Sequence, residues 1–232
     1  MLGMPNENYG SRTRALGWTP LGPLQWLLLP LCPERLMARK LGTPWLGRLE
    51  PVGRWWRALA VERRTDRRIE VQEVSTADQQ FDCLWRDARS RLAQALVRDR
   101  SWVAWRYLSA PGGAYRVLLA TRSGEPVGYA ACSAPGVQSA TIADVFAAPG
   151  DSATFTALVQ ATVGRATASG ADSIRTLATA GSWAHRELLR AGFFRSRHAF
   201  GVHYVPLDPL VTASGVGAAS DWYLLGGDFD VV

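Results

Sequence analysis

The chain has 232 residues, 47% of them hydrophobic and 20% charged, enough apolar material for a sizeable core and too little charge for a disordered chain. Its net charge of +6 is unevenly placed: residues 1–68 hold 12 Lys+Arg against 5 Asp+Glu, and residues 69–232 hold 14 against 15. Basicity therefore belongs to the first third, which argues against a nucleic-acid surface built over the whole molecule.

In chain order, residues 1–33 open on a turn-rich stretch (Gly3, Pro5, Asn6, Asn8), pass a helix-end pattern at Leu16-Gly17-Trp18, and reach the apolar run 24–31, a buried-strand candidate. This run is about half a membrane span and is broken by Pro30, so no transmembrane helix is predicted, and the Met1 end lacks the layout of a signal peptide. Nothing before it could supply the sheet such a strand needs, so residues 1–33 read as the tail of a domain whose beginning is absent. Residues 34–68 are a basic connector. Its Arg/Trp composition admits a membrane- or nucleic-acid-surface helix, but the apolar face is short and interrupted by Gly and Pro, which favours a linker whose tryptophans dock on the neighbouring domain.

From residue 69 the pattern becomes regular. Residues 69–74 alternate with period two, as in a half-buried strand, and residues 77–97 carry a helical stripe from Phe81 to Leu96, with Asp78 or Thr76 able to cap it. A second helical element follows with Ser101 as cap and Trp102, Trp105 and Leu108 on one face, ending at Pro111-Gly112-Gly113. Three strand-like runs come next, 115–122, 127–133 and 140–148, the first two joined by the turn Ser123-Gly124-Glu125-Pro126. After Pro149-Gly150 a helix is predicted over 152–169, then a strand at 172–178, a short helix at 183–190 with Gly192 in a left-handed cap, and a last strand at 200–207. The order β-α-α-β-β-β-α-β-α-β implies a mixed α/β (α+β) domain in which a meander feeds a βαβ crossover. The three cysteines (Cys32, Cys83, Cys132) are odd in number and without a CxxC, and the three His do not cluster with them, so a reduced, cytoplasmic protein with no metal site is expected.

These pieces in this order resemble the GNAT acetyltransferase superfamily. The carriers are the hairpin residues 124–131, the strand Ile142-Ala143-Asp144-Val145-Phe146-Ala147, and the helix-then-Gly-Phe at Glu187 to Phe194. The similarity is strongest to proteins with two such units in tandem, in which a Trp-Arg-Tyr like Trp105-Arg106-Tyr107 precedes the hairpin and an ending like Trp222 to Asp230 closes the chain. On that resemblance residues 69–210 form a GNAT-like domain with a mixed central sheet flanked by helices, 1–33 are the remnant of a preceding unit, 34–68 the linker and 211–232 a C-terminal tail.

The resemblance implies an acyl-CoA-dependent N-acyltransferase moving an acetyl group from acetyl-CoA to the amine of a small molecule or peptide. Nucleic acid is not expected as a partner; a homodimer or a missing N-terminal unit is. The family holds the thioester carbonyl on strand-four backbone, here Val145, Phe146 and Ala147. It holds the pyrophosphate on successive amides at a helix start, here Gly150, Asp151, Ser152, Ala153 and Thr154. Asp144 lies where some members place the carboxylate that deprotonates the amine, although an Asp in an apolar strand can equally be scaffold, paired with Arg106 or Arg116. Two departures stand out. The family's Arg/Gln-x-x-Gly-x-Gly/Ala loop is replaced by residues 148–154 with one glycine and with Asp151 where a diphosphate would approach. Leu188 stands where many members carry the Tyr that protonates the leaving thiolate. The alternative is therefore a non-catalytic GNAT-fold half that binds a ligand or stabilises a partner unit.

Overall fold

The computed structural model describes residues 1–4, 12, 15–43, 45, 51, 55–56, 65–133, 136, 138–208 and 216–229. In chain order the elements are β1 (Leu2–Gly3), β2 (Thr19–Pro30), α1 (Pro33–Leu41), β3 (Ile69–Val74), α2 (Gln79–Arg89), β4 (Gln94–Ala95) and α3 (Arg100–Val103), which widens into a π turn at Ala104–Leu108. Then come β5 (Tyr115–Arg122), β6 (Glu125–Ser133), β7 (Ser139–Ala147), α4 (Ser152–Ala168), β8 (Ser173–Thr179), α5 (Trp183–Arg190), β9 (Phe194–Tyr204) and β10 (Trp222–Tyr223). Eight strands form one sheet in the order β1-β9-β2-β8-β7-β6-β5-β3, and β10 pairs with β4 in a separate two-stranded ribbon.

The meander β3-β5-β6-β7 is antiparallel throughout, and β7–β8 is the parallel pair that α4 connects. The β5–β6 loop is Ser123-Gly124, both with positive φ (52° and 84°), the conformation a two-residue hairpin turn needs to follow the strand twist. Helix α4 lies across β3, β5, β6 and β7 and buries Phe155, Leu158, Val159 and Val163. It approaches so closely that a Cβ on Gly128 of β6 would sit 2.8 Å from Thr154 and 2.9 Å from Leu158. Helix α2 covers the other face, with Phe81 edge-on to Tyr129 and Trp85 against Phe146.

Residues 19–30, the segment with no sheet of its own before it, lie inside this sheet between β8 and β9, antiparallel to both. Leu24, Leu27 and Leu29 are fully buried there, each adding about 1.5–3 kcal/mol through apolar burial. Of the connector, Trp56 docks: its ring stacks on Phe194 and its indole N–H donates to the Pro30 carbonyl at 2.9 Å, whereas Trp55 is exposed. Residues 44, 46–50, 52–54 and 57–64 of the basic segment, which include Arg63 and Arg64, and residues 211–215 and 230–232 of the tail lie outside the described residues.

Three local expectations change. The helix predicted over 77–97 stops at Arg89, because residues 94–95 pair in parallel with Trp222–Tyr223, a partner more than 120 positions away along the chain. Asp99, not Ser101, caps α3 by accepting from the Trp102 amide, a carboxylate acceptor placed two residues earlier. The last strand begins at Phe194 rather than 200. Gly192 (φ 96°) turns the chain straight into it, and its exposed, Arg-rich first half shows no period-two signal.

Candidate active site

Strand β7 alternates across the sheet. Phe146, and with it Asp144, faces α2, while Ala147 pairs with Gly128 on the α4 face and Val145 shares that side. Asp144 is completely buried in the middle of a polar network. Its Oδ2 accepts from Arg98 Nε at 3.1 Å, from the Tyr129 hydroxyl at 2.6 Å and from the Tyr107 hydroxyl at 3.3 Å. Arg98 is equally buried, and its Nη2 donates to Asp228 Oδ2 at 2.6 Å. The expected partners of Asp144, Arg106 and Arg116, are engaged elsewhere. Arg106 donates to the carbonyls of Gly227 (2.8 Å) and Phe229 (2.6 Å), and Arg116 faces Glu73 from the far end of β5.

The charges set the protonation states. Burial works against the Arg98 cation, but Asp144 and Asp228 beside it raise its pKa well above the ordinary arginine value. Burial and the neighbouring Asp144 push the phenols of Tyr107, Tyr129 and Tyr223 up, so all three stay protonated donors. Burial raises Asp228 to about 6 in spite of Arg98, with Asp144 adding to the shift. One cation thus faces two buried carboxylates, and among the described residues Oδ1 of each has no hydrogen-bond partner.

Strands β7 and β8 pair only from Ser139↔Ser173 to Ile142↔Thr176 and then diverge. The wedge between their C-terminal halves is occupied by the chain's own residues 222–228. Leu225 bridges Ala178, and the Thr179 amide donates to the Leu224 carbonyl at 3.1 Å. The Tyr223 hydroxyl donates to the Val145 carbonyl at 2.6 Å and meets the Ala147 amide, so these two backbone groups of β7 are hydrogen-bonded within the chain. The Tyr223 ring lies edge-on to Phe146 and tilted against Trp183, and a Cβ on Gly227 would fall 2.1 Å from the Tyr107 hydroxyl oxygen, so only glycine fits beside it. At the mouth of the wedge a cavity of about 160 Å³ remains, bounded by Pro149, Ser182, Trp183 and Tyr223.

The loop into α4 is filled in the same manner. Gly150 takes φ 95°, which turns the chain so that Asp151 caps the helix, accepting from the Thr154 amide at 3.1 Å and the Thr154 hydroxyl at 2.8 Å. Arg122 Nη2 donates to both Asp151 oxygens, at 3.0 and 3.1 Å. Burial raises the Asp151 pKa, but the hydrogen bonds from Arg122 and Thr154 outweigh it and hold the carboxyl below its usual range. An anion of the chain itself thus sits on the first turn of α4. His185, at the start of α5, is buried, with Nε2 3.1 Å from Gln25 Oε1; burial and the nearby Arg195 and Arg186 depress its pKa.

The arrangement of a meander, a parallel pair that splays, and helices on both faces has clear counterparts. A GCN5-related N-acetyltransferase from Anabaena variabilis superposes with a TM-score of 0.55 at 10% identity over 87% of this chain and 44% of that one. Saccharomyces cerevisiae N-myristoyltransferase with bound myristoyl-CoA gives 0.53 at 9% identity, over 80% and 50%. A GCN5-related N-acetyltransferase from Kribbella flavida gives 0.52 at 15% identity, over 87% and 41%. The chain has the GNAT fold. It spans half or less of the length of these three GNAT-fold proteins, and no family model and no curated protein sequence matches it.

Asp144, Val145, Phe146 and Ala147 are consecutive at the C-terminal end of β7, where Val145 and Ala147 meet Tyr223 through their backbone and Phe146 through its ring, and Gly150 to Thr154 form the turn and first residues of α4. Arg98, Tyr129, Tyr223 and Asp228 complete the network and were missed in the sequence. Arg98 sits between Val97 and Asp99-Arg100 in what reads as a solvated charge run. The only signal for Asp228 was the resemblance of the closing motif.

Proposed function

We propose that this chain belongs to an acyl-CoA-dependent N-acyltransferase and forms its non-catalytic GNAT-fold unit, stabilising a partner unit in the cytoplasm. One observation carries this reading: both parts of the acyl-CoA site are filled by the chain's own groups. Tyr223 takes the β7 backbone at Val145, and Asp151 with Arg122 takes the first turn of α4. Asp144 in this reading is scaffold, because its Oδ2 is held by three donors and no amine reaches it past residues 222–228.

A second reading makes this unit itself the enzyme, with acetyl-CoA entering when residues 222–228 withdraw and Asp144 taking the proton of a small-molecule or peptide amine. The Oδ1 atoms of Asp144 and Asp228, which find no partner among the described residues, favour it, since they leave the closed state with an unmet electrostatic cost. Thermal unfolding with and without acetyl-CoA separates the two, for the wild type and for Tyr223→Ala. A ligand at a hundred times its Kd adds about 2.7 kcal/mol of stability. The scaffold reading expects no shift in either protein. A shift in the variant alone supports the closed-enzyme reading, and a shift in the wild type refutes the scaffold role.

A further inference from the structure

A second concavity lies at the opposite end of the sheet from the wedge, under the last turns of α4. It encloses about 340 Å³, within the range of small-ligand pockets. The pairing explains its position. Arg116 is opposite Cys132 across β5–β6, and Glu73 is opposite Leu118, so Glu73, Arg116 and Cys132 share the face that α4 covers, beside Ala140 of β7. The space exists because the side chains meeting here are small. Phe155, Leu158 and Val159 fill the first half of the α4 interface, whereas Thr162 and Ala166 face Cys132 and Ala140 in the second.

The mouth carries two guanidinium groups and one carboxylate. Arg116 Nε and Arg165 Nε each lie 3.5 Å from a different oxygen of Glu73, and all three side chains are 39–45% exposed. At that separation the carboxylate neutralises one cation loosely and leaves a net positive charge over a predominantly apolar interior. Cys132 forms part of the floor; burial raises its thiol to about 11, with the charges of Arg165, Glu73 and Arg116 acting on it in turn, so it lines the pocket as a neutral group.

We propose that this pocket binds an apolar monocarboxylate, with the hydrocarbon against Cys132, Ala140, Thr162 and Ala166 and the carboxylate on Arg116 and Arg165. The site is independent of the wedge and of the function proposed above. Octanoate is the probe, titrated calorimetrically into the full chain, with octanol as the neutral control. Octanoate should bind saturably and octanol about tenfold more weakly, the loss of one charge-assisted pair. Arg165→Gln should bring octanoate to the level of octanol, and Ala166→Leu, which fills the cavity, should abolish binding of both. As a measurement that needs no variant, octanoate should slow alkylation of Cys132 in the wild type while leaving Cys83, on α2, unchanged. Absence of saturable octanoate binding, equal binding of octanol, or binding that leaves Cys132 unprotected overturns the assignment.

Discussion

Arg98→Met tests whether the buried network, and not backbone pairing alone, holds the closing segment in the wedge. The side chain is fully buried between Asp144 and Asp228, donates to the Leu96 carbonyl at 3.0 Å, and lies over the rings of Phe146 and Tyr223 at 5.6 and 5.3 Å. Methionine keeps much of the volume but leaves two carboxylates with no cation. Breaking a buried pair by removing one partner costs about 3–5 kcal/mol, against about 5–15 kcal/mol for a whole domain. At about 2–4 °C per kcal/mol for a chain of this size, Tm should fall by roughly 6–20 °C. The loss should depend on pH, with a definite sign. Asp228 has a folded pKa raised to about 6 from 3.8, so the stability it contributes is complete below 3.8 and is lost as pH rises through about 6. Without Arg98 the folded value climbs further, so the variant's deficit should be largest at pH 8 and smaller at pH 5. Urea unfolding of both proteins at these two pH values is the assay, with Arg98→Met/Asp228→Asn expected to recover part of the loss. A cost below about 1 kcal/mol at pH 8, or a deficit equal at both pH values, would refute the electrostatic account.

Three further outcomes are expected. Gly227→Ala places a methyl where the Tyr107 hydroxyl stands and 3.0 Å from the Ala143 carbonyl, and should lower stability by about 1–3 kcal/mol in denaturant unfolding. Leu27→Ala should cost about 2–5 kcal/mol, because β2 is an interior strand; a loss under about 1 kcal/mol would place residues 19–30 outside the core. Asp151→Asn keeps an acceptor for the Thr154 amide and loses only a partly exposed pair with Arg122, so about 1 kcal/mol or less is expected at pH 7. Because the folded pKa of Asp151 is lowered, its contribution is present above 3.8 and lost as pH falls through that depressed value, so wild type and variant should converge in acid unfolding curves.

The local chemistry of this protein was legible in the sequence wherever neighbours along the chain decide it. Period-two alternation located β3, and short apolar runs located β5, β6, β7 and β8 to within a residue or two, because a half-buried strand alternates along its own order and a strand covered on both faces is apolar throughout. Gly192 closed α5 for the same reason, since the left-handed turn after a helix is a local conformation. Their order sufficed to resemble a fold. What the chain order does not contain is which distant groups meet in the low-dielectric interior. Arg98, Asp144 and Asp228 lie 46 and 130 positions from one another by their hydrogen bonds, and a charge in a polar run carries no mark of burial until a partner neutralises it. The filling of the wedge by residues 222–228 is likewise a tertiary event. Asp151 could be read from sequence as a cap or as an obstacle to diphosphate, but Tyr223 on the Val145 carbonyl follows only from the divergence of β7 and β8, which leaves backbone groups that something must satisfy.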